Sequence, residues 1–362
     1  MITMKIKSWM KKRKIISELG LKEQYPYPKD EFNAFLYLKN VLKENPPSMA
    51  WNGTSVEEHK EWKKQARDKL KQLLAYEREG VSLNPEFEKE VEFDNVILKR
   101  VTFSTAPHLR AVGILAYSKS INKPAPAILT LHGHNKGKIC PTGLAPSKSN
   151  SYYGIELARE GFITLSLDQW GWGERTGRYK KTEGHPEETF SRASMLLGQP
   201  ALGIRAWDAS RALDLLETLD FCNKKFGIIG QSGGGATSTY ASALDDRIEA
   251  AVISGHFCSF EYGLMAISHC SCAYVPGLLK YFEIADIVGI RAPKPTFIVS
   301  GEYDHIFPQD GVQVAFKKLQ SIYQLYNKEK ALGIDVIKDK GHYFRGTFAY
   351  PWLSQQLMNQ ET

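Results

Sequence analysis

A serine between glycines at the end of an apolar run is the first group in this chain able to do covalent chemistry. The run FGIIG, residues 226–230, leads directly into Gly230-Gln231-Ser232-Gly233-Gly234, and a helix-forming stretch follows. G-x-S-x-G at a strand-to-helix turn is the setting a nucleophilic hydroxyl needs. The turn must hold Ser232 in a strained backbone that exposes its oxygen. Side chains at 230 and 234 would strike the neighbouring strand and helix, and the helix N-terminus beyond favours negative charge. A hydroxyl is a weak nucleophile until a base takes its proton, and that base needs a carboxylate to orient it. Asp304, in GEYDHIFP after TFIVS, and His342, in KGHYF after GIDVI, supply the two types. Each follows an apolar run, so all three side chains are expected at the carboxyl ends of strands in one sheet, in the chain order serine, acid, histidine. Glu261 is the fallback acid, and His305 is read as a wall residue beside the acid.

His132-Gly133-His134 closes the run AILTLH. A peptide N–H there, that of His134 with Gly133 as runner-up, is expected to join the Gly233 N–H around a developing oxyanion. A phosphate loop is excluded. Gly133 and Gly137 are separated by three residues rather than four, and Ile139 stands after Lys138 where Ser or Thr would hold magnesium. In DQWGWGER, residues 168–175, Trp170, Trp172 and Glu174 are the candidate substrate-binding side chains. The alternative is that the tryptophans pack the base of a lid and Glu174 pairs with Arg175. Basic residues Arg175, Arg178, Lys180 and Lys181 suit a solvated loop, with an acidic substrate as the other reading. VPGLL at 275–279 suits an apolar cap wall. Cys270 and Cys272 form a C-x-C beside His269, but no second pair stands at zinc spacing, so no metal is expected. The five cysteines are read as reduced thiols rather than a disulfide framework.

These groups need a scaffold, and the hydrophobic pattern supplies one. After a β-rich opening (VEFDNVILKRVTF, AVGILAY), short apolar runs at 127–132, 162–167, 226–230, 250–254, 296–300 and 333–337 alternate with amphipathic stretches. That alternation predicts an α/β fold with a mostly parallel sheet covered on both faces. Connections 171–203 and 255–292 are long enough to carry lid or cap elements. Residues 1–84 read as a helical N-terminal extension and 85–362 as the catalytic domain. In the extension, Trp62, Ala66, Leu70 and Leu73 or Leu74 share one face, and Thr54 or Ser55 can cap that helix.

The 362 residues are 43% hydrophobic and carry a net charge of +7. Residues 1–24 hold seven Lys/Arg against two Glu, so the rest is nearly neutral, and a nucleic-acid partner is not expected. No signal-peptide pattern or membrane-length apolar run occurs, so a cytoplasmic protein without stable membrane insertion is expected. Self-association through the N-terminal helices stays open.

The segments LHGHNKGK, DQWGWGER, FGIIGQSGGG, GEYDHIFP and KGHYF, with the stretch from Cys270 to Pro295, resemble the α/β-hydrolases. The likeness is to their bacterial dienelactone-hydrolase-like and acetyl-xylan-esterase-like branch. It implies an eight-stranded sheet and a Ser–Asp–His triad at Ser232, Asp304 and His342. It further implies a serine carboxylesterase acting on a small-molecule ester, with acetyl the suggested acyl group and no cofactor. A peptidase, an acyltransferase and a non-catalytic scaffold are the alternatives. Dienelactone hydrolases proper carry a cysteine nucleophile; serine stands here.

Overall fold

The computed structural model describes residues 2–20, 31–177 and 185–358. Arg178, Lys180 and Lys181 of the basic stretch lie outside the described residues. The chain divides into two compact units, Met1–Asn45 and Pro46–Thr362. The smaller contains helices α1 (Ile2–Glu18) and α2 (Ala34–Glu44). The Asn33 side chain starts α2 by accepting the Phe35 and Leu36 N–H groups, each at 3.0 Å.

The larger unit is built on one sheet of nine strands, one more than the eight expected. They are β1 (Glu86–Phe93), β2 (Val96–Ala106), β3 (Leu109–Ser118), β4 (Ala125–Leu131), β5 (Ile163–Leu167), β6 (Cys222–Gln231), β7 (Ile248–Ser254), β8 (Thr296–Gly301) and β9 (Leu332–Ile337). Their order is β1-β2-β3-β5-β4-β6-β7-β8-β9. The first three pair antiparallel and β3 meets β5 antiparallel; from β5 onward every pairing is parallel. β1 is exposed along its whole length. Its glutamates answer basic side chains on β2 and β3, including Glu90 to Lys99 at 3.3 Å and Glu86 to Arg110 at 2.9 Å. An edge strand so charged resists pairing with another chain.

The unbroken apolar run of β4 follows from burial on both faces. Ala127, Leu129 and Leu131 enter one core cluster, and Ile128 enters the other. Helices cover the faces: α3 (Val56–Leu74), α4 (Tyr153–Arg159), α5 (Pro186–Leu196), α6 (Ala201–Glu217), α7 (Gly233–Leu244), α8 (Ile284–Gly289), α9 (Gln309–Leu325) and α10 (Ala349–Leu357). Helix α3 begins in a capping box, with Ser55 accepting the Glu58 N–H and the Glu58 carboxylate accepting the Ser55 N–H. Its Ala66, Leu70 and Leu74 are fully buried in the larger core with residues of α6 and α7. A side chain at Gly203 of α6 would collide with the Leu74 carbonyl. The boundary between units therefore falls at residue 45, and α3 belongs with the sheet rather than with a separate extension of 84 residues. The reason is the apolar stripe itself, which finds its partner on α6.

The connections 171–203 and 255–292 do carry extra elements, α5 in the first and α8 in the second. They are tied together. Ser271 donates its N–H and its hydroxyl to the two Glu188 carboxylate oxygens at 3.0 and 2.6 Å, and Arg192 Nε donates to Ser271 Oγ at 3.1 Å. Val275 and Leu278 of the VPGLL segment pack in the main core instead of forming a cap wall.

Truncating Leu70 tests whether α3 is integral. We expect Leu70→Ala to lower the unfolding free energy by about 3 kcal/mol in urea denaturation. A change below about 0.5 kcal/mol would mean that the helix is peripheral.

Candidate active site

Strand β6 ends at Gln231, and Ser232 turns the chain into α7 with φ 58° and ψ −118°. That conformation is costly for a residue with a Cβ, and close packing enforces it. A side chain at Gly230 would collide with the Gly234 carbonyl and meet Ser238 Oγ, and one at Gly234 would collide with the Leu131 carbonyl at the end of β4. The two flanking glycines are thus required on both sides of the serine. The Ser232 N–H donates to the Ser254 carbonyl of β7 at 2.9 Å, which fixes the turn against the sheet.

The loops after β8 and β9 meet beside this turn. The Tyr303 N–H donates to the Lys340 carbonyl at 2.8 Å and the Glu302 N–H to the Ile337 carbonyl at 3.0 Å. Asp304 and His342 emerge from these joined loops, with His342 Nδ1 2.7 Å from Asp304 Oδ2. The other carboxylate oxygen accepts the Ile306 and Phe307 N–H groups at 2.9 and 3.1 Å. Burial pushes the Asp304 carboxyl up, but the His342 hydrogen bond and the two N–H donors outweigh it, and the group sits below its ordinary range. With Nδ1 engaged, His342 Nε2 is buried and makes no hydrogen bond among the described residues. A side chain at Gly255 would lie 2.8 Å from His342 Cε1, so the glycine makes room for the ring, and Phe307 stacks on it with centroids 5.8 Å apart.

Ser232, Gly233, His134 and His342 line one cavity of about 590 Å³, closed on its other sides by Lys136, Lys148, His256 and Phe307 among others. The end of β4 approaches closely: a side chain at Gly133 would lie 2.9 Å from the Gln231 carbonyl oxygen and 3.1 Å from Ser232 Cβ. His132 is buried beneath. Its Nδ1 is 2.7 Å from the Gly133 carbonyl, and its Nε2 accepts the Gln169 N–H at 3.0 Å, which fixes Nδ1 as the protonated nitrogen. In a trans peptide the carbonyl and the next N–H point in opposite directions. The His134 N–H is thereby turned away from His132. The Gly233 N–H, first in α7, has no acceptor within its own helix.

The candidate substrate residues fall elsewhere. Trp170 faces a separate depression with Phe190. Trp172 is buried, stacked on His185 at 4.0 Å and edge-on to His134 at 5.1 Å. Glu174 pairs with Arg100 at 2.6 Å and with Lys138, not with Arg175, and Arg100 first, then Lys138, holds it down to about 2. The segment's charges and rings are consumed by the floor of the cap, so none of the three lines the cavity. Three buried ion pairs build that floor: Lys138–Asp168, Arg175–Asp208 and Arg205–Glu187, each 2.6 Å. Glu261 and His305 also lie off the cavity, and His305 is exposed.

Sequence reading missed His256, which reaches the cavity from the loop after β7. Burial, with His269 and His342 nearby, pushes it down to about 3. It missed one further grouping. His134, Glu187, Cys270 and Cys272 present ligand atoms within 4.8 Å of one another, the one such metal-capable group that the described residues form. No helix among them is long and apolar enough to cross a membrane.

A mixed sheet with this strand order, covered by helices on both faces, is the α/β-hydrolase fold. Residues 33–328 match the Abhydrolase family, and the chain belongs to it. A Bacillus subtilis protein named "Putative hydrolase YtaP" is 28% identical over 243 residues, 64% of this chain and 78% of the relative. A "putative acetyl xylan esterase" of Bacteroides fragilis superposes with TM-score 0.75 at 20% identity, over 91% of this chain and 97% of that one. A glucuronoyl esterase of Solibacter usitatus superposes with TM-score 0.60 at 17% identity, over 86% and 95%. At such identities the likeness is one of fold.

Two expectations follow. Lys138→Ala leaves the buried Asp168 carboxylate with backbone N–H donors alone, those of residue 138 and Glu174, and should cost about 3 kcal/mol by urea denaturation. The buried imidazoles make stability depend on pH. His132 is pushed down to about 4 by burial and His256 to about 3, below the roughly 6.5 of the unfolded chain. The unfolded state binds the extra protons, so the stability these two groups contribute is full above about pH 6.5 and falls as the pH drops toward 4. Between pH 6.5 and 5 the two groups together should remove on the order of 3 kcal/mol. An unfolding free energy that stays flat over that interval would contradict the neutral assignment.

Proposed function

We propose that this protein is a serine carboxylic-ester hydrolase, with Ser232 as nucleophile, His342 as base and Asp304 as the group that orients it. The carrying observation is the half-buried, strained Ser232 in one cavity with an imidazole whose Nδ1 is held by a buried carboxylate and whose Nε2 is left free. Nε2 makes no hydrogen bond yet, and catalytic contacts often tighten only when substrate is bound. In the reaction Ser232 Oγ attacks the ester carbonyl carbon and passes its proton to His342 Nε2. The carbonyl oxygen takes the negative charge within reach of the His134 and Gly233 N–H groups. Collapse breaks the bond to the alcohol, which leaves with the proton from Nε2. Water, losing its proton to the same nitrogen, then attacks the acyl-enzyme and releases the acid.

The cavity wall is mixed: Leu202, Ala236, Ile306 and Phe307 give it an apolar part, and two exposed lysines, Lys136 and Lys148, stand in it with Asn135, Ser149 and His269. The polar side chains can hydrogen-bond a hydroxyl-bearing alcohol, and the apolar part can receive a small acyl group. The fold neighbours named as acetyl xylan and glucuronoyl esterases support an ester carried on a carbohydrate. A small acyl group, acetyl first, is the reading we adopt.

Activity should fall to the uncatalysed background on p-nitrophenyl acetate in Ser232→Ala, and Asp304→Asn should lower kcat about 10⁴-fold. Fluorophosphonate should label the wild type and spare Ser232→Ala. Wild-type turnover in Ser232→Ala sinks the assignment. Acetylated xylooligosaccharides should be preferred to butyryl and octanoyl esters, and faster turnover of the long acyl chains would overturn the acetyl reading alone.

A further inference from the structure

The cluster beside the cavity is built from three distant parts of the chain. His134 follows β4, Glu187 sits in the first turn of α5, and Cys270 and Cys272 flank the short turn that bonds to α5. Their donor atoms converge. Cys272 Sγ is 3.6 Å from His134 Nε2, which is 3.6 Å from Glu187 Oε2, and the two sulfurs are 2.9 Å apart. A disulfide would require about 2.05 Å. Bonds of roughly 2.0–2.3 Å to a tetrahedral zinc ion give ligand-to-ligand edges of about 3.3–3.8 Å. Two of the observed edges already match; binding needs the sulfurs to part by less than about 1 Å, and the remaining edges, none above 4.8 Å, to settle into the same range.

We propose that Cys270, Cys272, His134 and Glu187 bind one thiophilic divalent cation, zinc, in a closed four-ligand site that pins both cap connections to the end of β4. Two thiolates, an imidazole and a carboxylate are a zinc donor set. The second shell is present. Glu187 Oε1 is held by the buried Arg205 guanidinium at 2.6 Å, which leaves Oε2 for the cluster. Charge also closes: zinc with two thiolates and one carboxylate carries one negative charge, and Arg205 offsets it. With four protein ligands and no open position, the site is structural rather than catalytic. It bears on the active site through position. A side chain at Gly233 would lie 3.1 Å from His134 Cε1, so the ligating ring rests against the residue after Ser232. The inference stands apart from the role given to Ser232.

The test is metal analysis of the tag-free full chain, produced with zinc supplied and kept reduced. We expect about one zinc per chain by mass spectrometry of the metal, and at least ~10-fold less in the Cys270→Ser/Cys272→Ser double variant. Cobalt added to the stripped wild type should give a thiolate-to-cobalt charge-transfer absorption and the intense visible bands of a tetrahedral ion. Stripping should speed hydrogen exchange in 186–196 and 270–274. A wild-type chain that holds under about 0.1 zinc and gives no thiolate–cobalt band overturns the site, whatever the variants do. Zinc retained in full by the double variant, or a Cys270–Cys272 disulfide with no cobalt band after reduction, overturns it equally.

Discussion

Everything at the candidate site depends on how closely three backbones approach one another. The end of β4, the turn at Ser232 and the first turn of α7 come together at Gly133, Gly230 and Gly234, where a methyl group would meet backbone atoms. This contact keeps Ser232 at positive φ, because the serine cannot relax without parting strand from helix. The cost of the strained residue is spread over a buried sheet whose central strands are apolar on both faces.

Around that contact the site is oriented by hydrogen bonds that leave a single nitrogen of His342 free. Asp304 gives one oxygen to two backbone N–H groups and the other to His342, so the carboxylate cannot rotate. His132 is held beneath the end of β4, as its two ring nitrogens are used on Gly133 and Gln169. Gln169 continues the chain of bonds through Thr237 of α7, which ties that wall to the serine's own helix.

The sheet and the three candidate side chains that meet at its edge were readable because each has a local signature. Apolar runs of five or six residues are strands, and a glycine-flanked serine between strand and helix declares its own geometry. The histidine and the acid follow their strands by only a few residues. What was not readable depends on distant partners. Trp170, Trp172 and Glu174 had the composition of a binding wall, yet Arg100, Lys138 and His185 occupy them. Helix α3 showed its apolar face but not the α6 surface that receives it. The start of β1 went unread: Phe87, Val91 and Phe93 alternate with its charges, but Lys89 interrupts the pattern and no face of the strand is buried. Cys270 and Cys272 lacked a ligand pair at zinc spacing because His134 and Glu187 stand far away in the chain and are brought in by the fold.

The cap floor has a thermal consequence. Lys138–Asp168, Arg175–Asp208 and Arg205–Glu187 are ion pairs shut away from water. The penalty for dehydrating charge shrinks on warming, whereas apolar burial gains little per unit area. As temperature rises, the balance of cohesion therefore shifts from the oily layers around the sheet toward this ionic seam, and the roof above the hydroxyl should be among the last parts of the molecule to loosen.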